Sequence, residues 1–433
     1  MFLARLLVLF SLVCISCAHS SFEQKQLKHA LDFATSNRLE LEILLQHYTY
    51  DSLKLEAAKF LIRNMPHCYS YQQGGEMDSV KRVRTYYSPF GQIDQTYARR
   101  WGHYTYRNLL KIYDAHIITA EYLIDNIDRA FDNWQKRPWN RSLSFEDFCE
   151  YLLPYRIGDE PLEEWRELYE KKYGYLLDSI YKGSDVVEAA NLVSRHLQEP
   201  VFIYCEDFEL PHIGPRYLFS HRYGSCVDAA DIVTYAFRAV GIPCMEDTDA
   251  RGGHVWNVVR DTTGRDVPIW YIASEAVRGS RDTGGYKRGK VYRPMYGFQE
   301  EKAAHLGDDW KSMPLLFYHP YMKDVSYAYY PDTLRILTGI PDDEVCYLAH
   351  FHEAHWWSCA CARSASGKME IPNLESELVY LPMKYTKGNY YPSGFPFWFA
   401  GGEINTFLPD WEKTVKVRLY RKYPVYGWLR SFM

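Results

Sequence analysis

Over residues 22–134 apolar side chains return every three or four positions, in LKHALDFATSNRLELEILLQHY, DSLKLEAAKFLIRNM and YRNLLKIYDAHIITAEYLIDNIDRAFDNW. This period predicts amphipathic helices, each with one buried stripe, and Asp51 and Ser52 are natural caps for the second of them. Another helical unit begins near Ser142, in SFEDFCEYLLPYRIGDEPLEEWRELYEKKYGYLL. There Pro154 should end one helix and Pro161 should start the next, in the first turn, where a missing N–H is harmless. After about Arg293 the pattern becomes short runs rich in Val, Tyr, Trp and Phe, separated by turns at 364–367 and 386–389. VCYLAHFH, HWWSCACA, ELVYLPMKY, FPFWFAG and TVKVRLYRKY are predicted strands, at the spacing of a β-sandwich. No internal repeat or low-complexity linker interrupts the chain. The expected architecture is α+β: a leader over 1–16, a helical N-terminal region over 17–140, an α+β core with a helical lead-in over 141–293, and an antiparallel β-sandwich over 294–433.

One helix of the core differs from the rest. In YGSCVDAADIVTYAFRAVGIPC, Tyr223 to Cys244, Ser225 is a good N-cap and Asp228 stands three residues on, close to a capping box with Asp for Glu. Gly241 and Pro243 make a natural stop. Val227, Ala230, Val233, Phe237 and Val240 form the stripe that buries the helix. Cys226 therefore falls in the first turn, where unpaired N–H groups and the helix dipole favour a thiolate. A small buried structural cysteine is the bland alternative. Downstream, GGHVWNVVRDTTGRDVPIWYIA predicts a strand opened by His254, with Trp256 and Val258 on its face, and a turn at 261–264 into a second strand. A histidine at the mouth of a sheet beside a helix-start cysteine is the thiolate–imidazolium pair of acyl transfer; a core histidine bonded to backbone is the alternative.

Composition narrows the partners. The chain has 433 residues, 47% hydrophobic and 24% charged, with a formal charge of −5 and no basic cluster, so nothing electrostatic points to nucleic acid. The 38 Tyr and 12 Trp suit a wet, packed β-structure or platforms for sugars and peptides. MFLARLLVLFSLVCISCAHSS reads as an export signal: Arg5, then an apolar run from Leu6 to Val13 broken by Ser11. Its Val-Cys-Ile-Ser-Cys resembles a bacterial lipobox with Cys14 where Leu is usual, which makes Cys17 the expected lipidation site. Ordinary cleavage near 18–20 is the alternative. Acylation at Cys17 would anchor the protein stably, and no later stretch reaches the roughly 18 apolar residues of a membrane span. The other eight cysteines are too sparse for a staple framework, and none forms a CxxC pair.

The core resembles the transglutaminase-like cysteine-enzyme superfamily. That family shows Gly-x-Cys at the head of a helix ending in Arg-Ala-x-Gly-Ile-Pro, followed by a His-x-Trp strand. The chain has Gly224-Ser-Cys226, Arg238-Ala-Val-Gly-Ile-Pro243 and His254-Val-Trp256, in that order. Residues 148–156, Glu160-Pro161, Trp165-Arg166, Val379-Tyr-Leu-Pro382 and Arg421-Lys-Tyr-Pro424 resemble a subgroup of exported bacterial lipoproteins with a C-terminal β-module. The resemblance implies Cys226 as nucleophile and His254 as its imidazole. Family members with a complete triad carry Asp on the second strand, but residues 267–273 here, VPIWYIA, hold no acid. Glu275 and Asp266 are the nearest substitutes; Asn257 should point away from the His254 face.

His350, His352 and His355 in AHFHEAHWW invite a zinc reading, yet HEAH is one residue short of the helical His-Glu-x-x-His spacing. The expectation is no metal and no cofactor. Two functions remain. One is a cysteine protease, amidase or acyl transferase acting on a peptide or protein amide outside the cytoplasm, on a periplasmic or surface face of the outer membrane. The other is a catalytically degenerate lipoprotein binding glycan or protein through its aromatic β-module.

Overall fold

The computed structural model describes residues 22–87, 106–199, 201–204, 210–250, 253–270, 272, 274–280, 287–300, 313–337, 340–352 and 355–413. The leader with Cys17, Cys205 and the expected strand TVKVRLYRKY lie outside them. The fold is mixed α+β, and its larger sheets are antiparallel.

Helices α1 (Arg38–His47) and α2 (Ser52–Asn64) form where the three-to-four spacing predicts them, and the Asp51 carboxylate caps α2 by accepting from Lys54 N at 3.1 Å. A short ribbon, β1 (Tyr69–Tyr71) with β2 (Lys111–Tyr113), flanks α3 (Gly75–Tyr87). Helix α4 (Ala120–Lys136) is capped by Thr119, and α5 (Phe145–Tyr151) by Ser144. Leu41, Leu44, Leu61, Leu123, Ile127 and Phe131 share one core with Phe148 and Leu152. The N-terminal helical core thus runs through α5, past the expected edge at 140.

Helix α5 stops ahead of Pro154, as the sequence predicts, but the next helix, α6 (Arg166–Tyr175), starts at Arg166 and not at Pro161. The Glu160 carboxylate folds the chain back by accepting from Ile157 N and Gly158 N, both at 2.7 Å, and Trp165 Nε1 donates to Tyr155 O at 2.9 Å. These tertiary bonds hold 161–165 out of the helix.

Helices α7 (Val186–Leu197), α8 (Pro215–Ser220) and α9 (Cys226–Ala239) follow, with a two-stranded parallel pair, β3 (Ile203–Tyr204) and β4 (Tyr223–Gly224), among them. Then comes a five-stranded antiparallel sheet in the order β7-β6-β5-β8-β9, made of β5 (Cys244–Asp249), β6 (Val255–Arg260), β7 (Asp266–Ile269), β8 (Val291–Pro294) and β9 (Met322–Asp324). Its last strand lies beyond the expected edge at 293. Helix α9 is buried on every side, between one face of this sheet and Tyr169, Tyr173, Ala190 and Val193 of α6 and α7. The other face carries Met245, Trp256, Val258 and Trp270 against Tyr151, Val325 and Tyr329.

The C-terminal part contains a ribbon, β10 (Asp332–Leu337) with β13 (Lys368–Leu374), and a six-stranded antiparallel sheet of β11 (Val345–His352), β12 (His355–Arg363), β14 (Leu378–Thr386), β15 (Asn389–Pro392), β16 (Phe397–Ala400) and β17 (Glu403–Thr406). Leu334, Met369 and Ile371 of the ribbon pack with Leu348, Cys359 and Phe399 of the sheet. The expected strands β11, β12, β14 and β16 are present, and Lys387 and Gly388, at φ 50° and 80°, make the tight turn between β14 and β15. No helix among the described residues is long and apolar enough to cross a membrane.

Candidate functional site

Helix α9 begins where its capping pattern places it. Asp228 Oδ2 accepts from Ser225 N at 2.7 Å and from Arg84 Nη2 at 2.8 Å, so the acid that closes the first turn is itself neutralised by a buried arginine. At the far end Gly241 takes φ 80°, and its carbonyl accepts from Trp139 Nε1 and Asn140 Nδ2, each at 2.9 Å. Cys226 opens the helix with 3% of its surface exposed.

Side-chain bonds set how α9 lies on the sheet. Arg238 Nε donates to Cys244 O at 3.1 Å, Thr234 Oγ1 to Glu246 Oε1 at 2.7 Å, and Asn257 Nδ2 to Ala230 O at 3.0 Å. The helix therefore ends over Cys244 and starts near Thr248 and Val255. Ser225, Val227, Thr248 and Val255 line one cleft of about 580 Å³. Tyr69, Tyr71, Tyr106 and Arg84 of the N-terminal region also line it.

His254 immediately precedes β6. By strand alternation it shares a face with Trp256 and Val258, opposite the face on which Asn257 and Val259 meet α9. Its ring stacks on Trp256, with centroids 5.7 Å apart and planes at 27°. The structure thus brings Cys226 and His254 to the same end of the core.

Neither expected acid is placed beside that histidine. Asp266 pairs with Arg260, six residues or about 20 Å along β6, because it sits next to the turn joining β6 and β7. Its carboxylate accepts from Tyr151 Oη at 3.0 Å and Arg293 Nη1 at 2.8 Å. Glu275 is exposed and paired with Arg195 of α7 at 2.7 Å. Asn257 faces α9, as alternation requires. The acid that does stand opposite His254 is Asp249. Thr248 pairs with Val255, and the next rung joins Asp249 N to His254 O at 3.3 Å. Asp249 is fully buried and accepts from Gly253 N at 2.7 Å. Two glycines between alternating runs, in DARGGH, are a hairpin signal that makes Asp249 and His254 neighbours; attention to the following strand alone misses it.

A second imidazole lies in the cleft. His212, just before α8, has Nδ1 at 2.9 and 3.0 Å from the two carboxylate oxygens of Asp231, a fully buried residue of α9. Its backbone N donates to Asp159 Oδ1 at 2.9 Å, and Gly158 lies so close that a Cβ there would come within 2.3 Å of the ring. Two carboxyls of the same cleft are displaced by burial: Glu246, with Asp231 adding to the effect, is pushed up to about 8, and Glu150 to about 7. His212 and Asp231 are nineteen positions apart in sequence, and no local pattern joins them.

In the C-terminal sheet His352 and His355 face each other across β11 and β12, and His350 is fully buried. Among the described residues no group of three or more His, Cys, Asp or Glu could hold a metal ion, and Glu353 is outside them. No disulfide joins any two of the seven described cysteines. No family model matches the chain, and neither a curated protein nor a solved structure matches it significantly.

Proposed function

We propose that the chain is an exported lipoprotein, acylated at Cys17, with a transglutaminase-like core and a C-terminal β-sandwich, and that it hydrolyses or transfers an amide or peptide acyl group. Cys226 is the nucleophile, and His254 supports its thiolate. The observation that carries this reading is the Asn257 bond to Ala230 O, which ties the helix opened by Cys226 to the strand opened by His254. The Cys226 N–H and a neighbouring N–H at the start of α9 would steady the oxyanion. Asp249, across the hairpin, is the acid that would orient the imidazole.

The test is the pH dependence of iodoacetamide labelling at Cys226, read by peptide mapping, with His254→Ala beside the wild type. A rate that titrates well below the free-thiol value of about 8.5, and reverts to it in His254→Ala, supports the pair. An ordinary thiol profile insensitive to His254 removes it.

The binding reading has its own support. Phe351, 44% exposed, packs on Trp356 at 5.1 Å, where β11 meets the edge strand β12. Such an aromatic surface suits a sugar ring. Glycan-array binding that disappears in Trp356→Ala or Trp357→Ala, with an inert Cys226, would establish that function in place of catalysis.

A further inference from the structure

We infer that the cleft between α9, β5 and the N-terminal region is a binding site for a small organic carboxylate, whose charge is held by the Arg238 guanidinium while the rest of the ligand lies among Tyr69, Tyr71 and Tyr106. The site stands apart from the Cys226 chemistry, since the cysteine is not among the residues lining the cleft.

Arg238 is the side chain that points to a ligand. It stands in the last turn of α9, lines the cleft and is 4% exposed. A guanidinium has five N–H donors, yet this one makes three bonds: to Cys244 O at 3.1 Å, to Arg156 O at 3.4 Å and to Met245 Sδ at 3.2 Å. The thioether is a weak acceptor, and no carboxylate pairs with Arg238 among the described residues. Arg84, Arg156 and Arg293 are as deeply buried, and each holds a carboxylate, from Asp228, Asp114 and Asp247 respectively. Burial accordingly keeps Arg238 below the usual arginine range, the mark of a charge without a close counter-ion.

The acids of the cleft do not supply that counter-ion. Burial raises Glu246 to about 8 and Glu150 to about 7, so at pH 6 both hold their protons and can donate to an incoming carboxylate. Asp228 is engaged by Arg84, Asp247 by Arg293, and Asp159 by the backbone N of His212. A ligand carboxylate would take two parallel N–H bonds from the guanidinium.

The walls suit a small molecule. A volume of about 580 Å³ lies in the range of ligand pockets, and Val227 and Arg238, both in the lining, stand about 16 Å apart along α9. Tyr69 packs edge-to-face on Tyr71 at 5.6 Å, and Tyr71 on Tyr106 at 4.9 Å, so flat apolar rings and hydroxyls are offered together. Lys111 Nζ lies 3.9 Å over the Tyr69 ring and adds a second cation, again favouring an acid. A sugar acid and a peptide C-terminus both carry the required group.

The experiment is calorimetric titration of the purified protein at pH 6 with D-glucuronate against glucose, and with N-acetyl-alanyl-alanine against its C-terminal amide, at millimolar concentrations. In wild type an acid should bind at least about tenfold more tightly than its neutral counterpart, as expected for hydrogen bonds to a charged group. The acid that binds identifies the source of the carboxylate. Arg238→Gln should abolish the preference for charge, and Tyr106→Ala should weaken binding of the acid. If Arg238→Gln does not fold, the wild-type preference together with Tyr106→Ala decides. Binding of neither acid, equal binding of charged and neutral forms, a preference that survives in folded Arg238→Gln, or affinity untouched by Tyr106→Ala overturns the assignment.

Discussion

Asn257 Nδ2 and Thr234 Oγ1 meet at 2.9 Å, and Thr234 donates onward to Glu246 Oε1 at 2.7 Å. This buried chain joins β6, α9 and β5, and it holds the start of the helix near the start of the histidine strand. Asn257→Ala removes the donor to both Thr234 and Ala230 O, so it should destabilise the fold by about 1–3 kcal/mol. Urea unfolding monitored by tryptophan fluorescence measures it. An unchanged midpoint would mean that the helix is held by apolar packing alone.

The acid opposite His254 can be told from the two that stand elsewhere. Asp249→Asn should lower the iodoacetamide rate of Cys226 at neutral pH by at least about tenfold, within the range seen when a triad acid is neutralised. Asp266→Asn and Glu275→Gln should leave it unchanged, since one carboxylate is bonded to Arg293 and the other to Arg195 at the surface. Equal loss in all three variants would refute a specific role for Asp249.

Arg293 is a buried cation shared by two carboxylates. Its guanidinium, 2% exposed, donates to both oxygens of Asp247, at 2.5 and 2.9 Å, and to Asp266. Arg293→Ala leaves the buried Asp247 without its cation, while Asp266 keeps Arg260 at 3.3 Å, and should cost about 3–5 kcal/mol. Arg335→Ala, which opens an exposed pair with Glu370, should leave the urea midpoint unchanged.

Stability should fall as pH rises through neutrality. Glu246 is raised from about 4.5 to about 8 by burial, so between those values the folded state holds a proton that the unfolded state has lost, and each step up in pH favours unfolding. Glu150 acts the same way up to about 7. The raised His212 also contributes stability that is lost as pH climbs through its folded value. Glu246→Gln should therefore flatten the decline between pH 5 and 8 and be relatively more stable than wild type at the upper end. Urea midpoints at several pH values test this; a variant as steep as the wild type would exclude Glu246 as a source.

Helix α9, its Ser225–Asp228 box and Gly241 stop, strands β11, β12, β14 and β16, and the turn at Lys387 and Gly388 were legible because each depends on residues within a few positions of one another. Apolar period, cap chemistry and positive-φ turns are local properties, and the chain writes them out directly. The α+β class follows from them. Tertiary structure decided the rest. Pro161 stays outside a helix because Glu160 and Trp165 bond back to the preceding turn. Asp266 is spent on Tyr151 and Arg293, while strand register puts Asp249 opposite His254. Which face of β6 meets α9, and the encounter of His212 with Asp231, were set by long-range packing. A side chain's partners across a sheet or a cleft depend on register and docking, which no window of sequence contains.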